Sequence, residues 1–365
     1  MIAETLQFER DAAVLLDREI SRSVTATAST PSERQVWIDY ARGIGVILVV
    51  FGHSLRGIVK SGVFSNLTLA GWMDYTVYAF HMPLFFFLAG LNVQHSLRRG
   101  NQAFLVNKVW TIAYPYFLWS VLQGCVIIML AHDVNTPMTF TDLAKIWYQP
   151  IGQFWFLYAI MICHVLVVLL PSRLTLIGIA FAGFAIYQAV PIPTQLSMTL
   201  YDLPFYVAGL YGPAMLARWQ PDRIRGWTVA ALVWFAFALM VWAGGTLSGR
   251  DPVSLLSLPA CITGIAGIVL VCKVLDQRGH RWLAGVGVMS MTIYVLHVIA
   301  GSGARVIMLK LHVVADPWLY LVVGTSAGVM IPVGIHLVMK RLHLLAMFGL
   351  APPVKTRTTR MAVST

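Results

Sequence analysis

The chain has 365 residues, of which 58% are hydrophobic and 11% charged, and its net charge is +11. So little polar surface excludes a water-soluble globule of this length, and lipid must solvate most of the molecule. The basic excess sits in short segments between apolar runs rather than in a continuous stripe, which argues for membrane topology and against nucleic acid as a partner.

Lipid cannot hydrogen-bond exposed backbone, and the apolar runs are near 20 residues rather than alternating ten-residue segments, so an all-α polytopic helix bundle is expected. Residues 1–36 mix Glu, Asp and Arg, end in a Ser/Thr/Ala-rich stretch and lack a charged-then-apolar start, and read as a cytosolic tail. Ten candidate spans follow, at 41–60, 73–93, 109–131, 153–170, 174–190, 199–217, 227–245, 254–275, 284–301 and 317–339. Residues 37–342 thus form a transmembrane domain, and 343–365 a second tail whose basic stretch 355–360 would lie on anionic lipid heads. With the N-terminus inside, 20 of the 26 Lys and Arg residues are cytosolic. Six face the other side: Arg56, Lys60, Lys145, Arg250, Arg305 and Lys310. That bias predicts both termini in the cytosol. No internal repeat is evident, and Gly324 with Gly328 makes a small-xxx-small pair suited to helix packing. The four cysteines lie in apolar runs without CxxC spacing or a His cluster, so they read as packing residues and no metal site is expected.

The first span carries ionisable groups at both ends, Asp39 and Arg42 at one and His53 at the other. Eleven residues at about 100° each make roughly three turns, so Arg42 and His53 share one face about 16 Å apart. Two readings are open. Arg42 snorkels to lipid phosphates and His53 bonds a neighbouring helix, or the pair lines a cavity. In the second, a guanidinium suits phosphate, and an imidazole of unperturbed pKa about 6.5 suits proton abstraction from a hydroxyl. Asp39, three residues before Arg42, pairs with it locally and orients it.

Asp39-Tyr40-Ala41-Arg42-Gly43 with His53 resembles the first helix of the acyltransferase 3 family of membrane acyltransferases. Residues 80–90 (FHMPLFFFLAG) resemble its second-helix segment, with Ala89 where Ser is usual. Phe154-Trp155-Phe156-Leu157 resembles its Trp-Phe-Leu element, residues 205–209 its aromatic helix ending in Gly, and residues 290–297 its late Ser-to-His element. Where the family carries an Arg-rich stretch before Tyr114-Pro115-Tyr116, only Lys108 remains here.

The resemblance implies a multi-pass protein of the bacterial inner membrane, an O-acyltransferase and most closely an O-acetyltransferase. The donor would be cytosolic acetyl-CoA, bound as a substrate with no permanent cofactor. The acceptor would be a hydroxyl of a lipid-linked or polymeric sugar in a surface or secreted glycan. It implies His53 as base, Arg42 and Lys108 at the donor phosphates, and Ser290, Tyr294, His297, His81 and Asp39 as further site residues. Taken alone, His81 before Pro83 is equally an interfacial histidine, and Ser290, Tyr294 and His297, at i, i+4 and i+7, are equally an interhelical bonding stripe. Trp155 and Asp202 are candidate acceptor contacts, against an aromatic belt and a plain loop charge. His164, His312, His336 and His343 read as structural. The rival from another class is a transporter or flippase with an Arg/His-lined path; a polysaccharide polymerase would need a longer outer loop than residues 132–152.

Overall fold

The computed structural model describes residues 36–132, 136–170, 172–192, 195–212, 223–276 and 281–352. Residues 1–35, the basic stretch 355–360, Arg218 and Arg278 lie outside them. The chain divides into two units, residues 1–36 and 37–365, and the second holds the helical bundle.

Among the described residues every regular element is helical. In chain order these are α1 Val36–Lys60, α2 Leu67–Tyr78, α3 His81–Leu91, α4 Val93–Leu97, α5 Asn101–Lys108, a π-turn Val109–Ala113, α6 Tyr114–Met129 and α7 Phe140–Ala144. A 3-10 turn at Gly152–Phe154 leads into α8 Trp155–Leu169, followed by α9 Arg173–Ala189, α10 Gln195–Tyr211 and α11 Arg223–Leu247. After a second 3-10 turn come α12 Leu258–Asp276, α13 Arg281–Val288, α14 Ser290–Lys310 and α15 Pro317–Arg341.

Eight stretches are long and apolar enough to cross a membrane, α2 to α4 counting as one and α5 to α6 as another. The other two expected spans are helices of 17 residues each, α9 and α10, a turn short of the usual length.

Two spans read as continuous from the sequence are broken. The 73–93 span is interrupted at Ala79–Phe80 because Pro83 has no N–H for the turn that would precede it. The Val77 carbonyl at the break accepts the His81 Nδ1–H at 2.9 Å beside a longer backbone bond from the Phe80 N–H at 3.4 Å, a donor that lipid could not have supplied. The 284–301 span is broken at Met289, between α13 and α14. Pro115 acts similarly at the head of α6, where the Tyr114 N–H bonds back to the Val109 carbonyl in a π-turn.

Glycine pairs set the closest helix crossings. A Cβ on Gly90 of α3 would strike the Tyr206 carbonyl of α10, and one on Gly209 of α10 would strike the Phe87 carbonyl of α3. A side chain on Gly287 would meet the Asp39 carbonyl, and one on Gly43 would meet the Leu283 carbonyl at 2.7 Å, so α13 lies directly on the start of α1. As the spacing predicted, Gly324 and Gly328 seat α15 in the bundle. Gly324 faces Ser54 and Gly301, and Gly328 faces Val50 and the His297 backbone.

These contacts fix a register. Gly43 lies against Gly287, His53 against His297 and Gly57 against Arg305, so α13–α14 runs parallel to α1 along its length. α15 returns antiparallel to α14, Gly324 meeting Gly301. Residues after α15 fold back on α6, with the Tyr114 hydroxyl donating to the Met347 carbonyl at 2.5 Å and Trp119 Nε1–H to that of Phe348 at 2.9 Å. Residues 343–352, the start of the expected C-terminal tail, are therefore part of the helical unit.

Candidate active site

α1 positions the two residues singled out by spacing. It is one uninterrupted helix from Val36 to Lys60, so Arg42 and His53 do share a face, about 16 Å apart along the axis. At the start of α1, Asp39 is buried and its Oδ1 lies 3.6 Å from an Arg42 guanidinium nitrogen, the local pair expected at i, i+3. Arg42 remains 35% exposed. Lys108 of α5 is close enough for its charge to feel that of Arg42 and stacks over Phe104 at 5.3 Å. The two expected donor-side cations are thus brought together.

At the other end of α1, His53 is partly buried and meets the His297 ring edge to face, centroids 5.0 Å apart. The His297 Nδ1–H donates to the carbonyls of Tyr294 at 2.7 Å and Ile293 at 3.2 Å. A carbonyl only accepts, so Nδ1 carries the proton and Nε2 is the bare nitrogen of the neutral ring. That Nε2 is buried without a hydrogen-bond partner. The same logic fixes His81, whose Nδ1–H is given to Val77, leaving its Nε2 as acceptor.

His81 stands edge-on to Tyr78 at 4.4 Å, and both His81 and Arg56 are near enough to act electrostatically on His53. Arg56 lies over the Tyr78 ring, 3.2 Å from its centroid, and its Nε and Nη2 donate to the two oxygens of Asp74 at 2.6 and 2.8 Å. The Tyr78 hydroxyl, like His297 Nε2, is buried without a partner. Three imidazoles and two unpartnered polar atoms therefore surround the far end of the Arg42 helix. Sequence reasoning missed Arg56, Asp74 and Tyr78; an Arg and an Asp of opposite sign on adjacent spans was the signal available.

The remaining expected residues divide. Tyr294 is buried and its hydroxyl donates to the Gln153 carbonyl, so its proton is committed. Phe156 touches both Tyr294 and Phe86, and Trp155 stacks on Phe86 at 6.3 Å, so the Trp-Phe-Leu element joins this aromatic wall. Ser290 opens α14, and the register puts it level with Val46, at the Arg42 end and away from His297.

Asp202 is not a loop charge. It lies inside α10, 1% exposed, near Tyr201, Cys163 and Cys261, with its Oδ1 unpartnered. No ring contact or hydrogen bond joins it to the histidine cluster among the described residues.

His164, His312, His336 and His343, read as structural from the sequence, stand in packing or turn positions. His164 bonds the Tyr206 hydroxyl at 2.7 Å and His336 the Thr292 hydroxyl at 2.7 Å, while His312 and His343 take positive φ at helix ends. The four cysteines are free, and the described residues contain no cluster suited to a metal.

A bundle of membrane-length helices with a basic end and an imidazole cluster at the two ends of one helix defines a multi-pass membrane protein built on an Arg–His helix. The chain belongs to the acyltransferase 3 family, whose acyltransferase domain matches residues 35–337. It is also similar to two proteins named nodulation protein NolL. That of Mesorhizobium japonicum is 30% identical over 187 residues, 49% of this chain and 48% of that protein. That of Sinorhizobium fredii is 24% identical over 182 residues, again 49% and 48%. The chain thus spans about half the length of the curated relatives it matches.

Proposed function

We propose that this protein is an O-acyltransferase of the cytoplasmic membrane, moving an acyl group, in the first instance acetyl, from acyl-CoA to a sugar hydroxyl of a surface or secreted glycan. The observation that carries this reading is the cluster at the far end of α1, where His53 is flanked by the buried, unpartnered His297 Nε2 and Tyr78 hydroxyl. Burying two polar atoms without partners costs about 1–3 kcal/mol each, a cost that suits a site built for a polar ligand. Family membership supplies the reaction class.

In the reaction, Arg42 and Lys108 hold the CoA phosphates and the acyl thioester extends along α1 toward His53. His53 takes the proton of the sugar hydroxyl while its oxygen attacks the thioester carbonyl carbon. The C–O bond forms, the C–S bond breaks, and the CoA thiolate leaves with the proton that His53 passes on. The Tyr78 hydroxyl, whose proton is not committed, is suited to bind the developing oxyanion. Trp155 and the aromatic wall beside it offer stacking surface to the sugar.

Mass spectrometry of surface glycans tests this, comparing a deletion strain complemented with the wild type or with His53→Ala. Wild type should restore an ester-linked mass, and His53→Ala, present in the membrane at wild-type level, should not. Full esterification with His53→Ala defeats the assignment. Glycans with no ester difference between deletion and wild type favour the transporter reading.

A further inference from the structure

One buried cation has no part in this reaction. Arg305 of α14 is 6% exposed, its Nε has no hydrogen-bond partner, and no carboxylate among the described residues pairs with it. Arg56, at a similar level on α1, is by contrast neutralised by both oxygens of Asp74. An uncompensated guanidinium inside a membrane domain is costly and marks a ligand path.

Its position is specific. The Arg305 guanidinium lies against the space over Gly57, which any side chain at that position would fill. Gly57 is one turn beyond His53 on the same face of α1, about 6 Å along the axis. One turn before Arg305 on α14, Gly301 faces Ser54 and Gly324, so small residues make the room that the arginine occupies. The cation therefore sits beside the histidine cluster, on the side away from Arg42.

We propose that Arg305 binds an oxyanion of the acceptor, one sugar ring removed from the hydroxyl that His53 deprotonates, and so selects an anionic acceptor. The planar fork suits two oxygens of a phosphate or a carboxylate. Two sources share this chemistry: the phosphate joining a sugar to a lipid carrier, and the carboxylate of an acidic sugar. The inference rests on the acyltransferase reading for its acceptor, but the anion site itself is testable without turnover.

The first arm is thermal melting of the full chain in detergent, with inorganic pyrophosphate or glucuronate as probe. One of them should raise the melting temperature of wild type by several degrees and leave Arg305→Gln unmoved; which one does so names the source. No shift in wild type with either probe, or an equal shift in Arg305→Gln, overturns the proposal. The second arm is transfer to a neutral oligosaccharide and to its phosphate- or carboxylate-bearing counterpart. Arg305→Gln should lose tenfold or more in kcat/KM on the charged acceptor and nothing on the neutral one. Equal loss on both makes Arg305 a structural residue and overturns the proposal. If Arg305→Gln does not reach the membrane, Arg305→Lys decides in both arms. It should retain part of the melting shift and raise KM for the charged acceptor alone, and wild-type behaviour in both arms overturns the claim. Wild type that transfers to neither acceptor defeats the acyltransferase reading, and melting still decides the anion site.

Discussion

Arg42 and His297 are held in their places by different means, and this decides which substitution is informative at each. Arg42 is partly exposed and touches Asp39 at 3.6 Å, so shortening it disturbs little packing. If its fork holds phosphate, Arg42→Lys should raise KM for acyl-CoA about tenfold, as a point charge cannot make paired hydrogen bonds, and Arg42→Ala should raise it further. Steady-state kinetics with acyl-CoA varied measures this, and wild-type KM in the Lys variant would reduce Arg42 to a lipid anchor. His297 is buried and fixed by its Nδ1–H to the Tyr294 carbonyl. Asn keeps an N–H near that position and removes Nε2. His297→Asn should therefore melt near the wild-type temperature yet lose about 10²- to 10⁴-fold in kcat, the usual weight of a proton-handling group. Unchanged kcat would show that the hydrogen bond to α14 is its whole role. Arg42 and His53 were legible in the sequence because one helix relates them by a known rise and turn. The meeting of His53 with His297 was not, because residues so far apart in the chain come together only through the register of α14 on α1. For the same reason the loop alternative for Asp202 could not be dismissed from the sequence: it stands near the end of an apolar run, and its burial is a tertiary fact.

At the scale of elements, the apolar runs were the strongest signal, since run length alone separates spanning helices from barrel strands. Helix interruptions were less legible. The break at Ala79–Phe80 depends on Pro83 and on the His81 side chain capping Val77, and it turns His81 and Tyr78 toward α1. Gly90 and Gly209 stand in two separate motif-like segments of the sequence, and the structure gives both one physical job, the crossing of α3 on α10. Each backbone there occupies the space a Cβ would need, and backbone cannot swing aside as a side-chain tip does. Gly209→Val should cost roughly 1–3 kcal/mol or more, seen as a lower melting temperature in detergent. Gly178, in the interior of α9, has open space around its Cα, and Gly178→Ala should leave stability unchanged or raise it by up to about 1 kcal/mol through helix propensity. Equal melting temperatures for the two variants would show that the α3–α10 crossing is not tight in the membrane.

For the whole molecule, sidedness is what joins structure to mechanism. The proposed reaction needs a cytosolic donor at Arg42 and a glycan acceptor near His53 and Arg305, so the two ends of α1 must face different compartments. The 20-to-6 division of Lys and Arg predicts that Arg42 is inside. The loop between α1 and α2 and the turn between α4 and α5 lie at opposite ends of the span Leu67–Leu97; Ser65 is exposed in the first, and Asn101, also exposed, opens α5 directly after the second. Cysteines placed at these two positions report on the two faces. Of the four native cysteines Cys125 alone is not fully buried, so a Cys125→Ser background keeps the signal clean. With a membrane-impermeant maleimide on intact cells, Ser65→Cys should label and Asn101→Cys should label only after permeabilisation. The reverse pattern would put Arg42 outside, where acyl-CoA does not reach it, and the transfer along α1 from Arg42 to His53 would have to be abandoned even with every intramolecular distance unchanged.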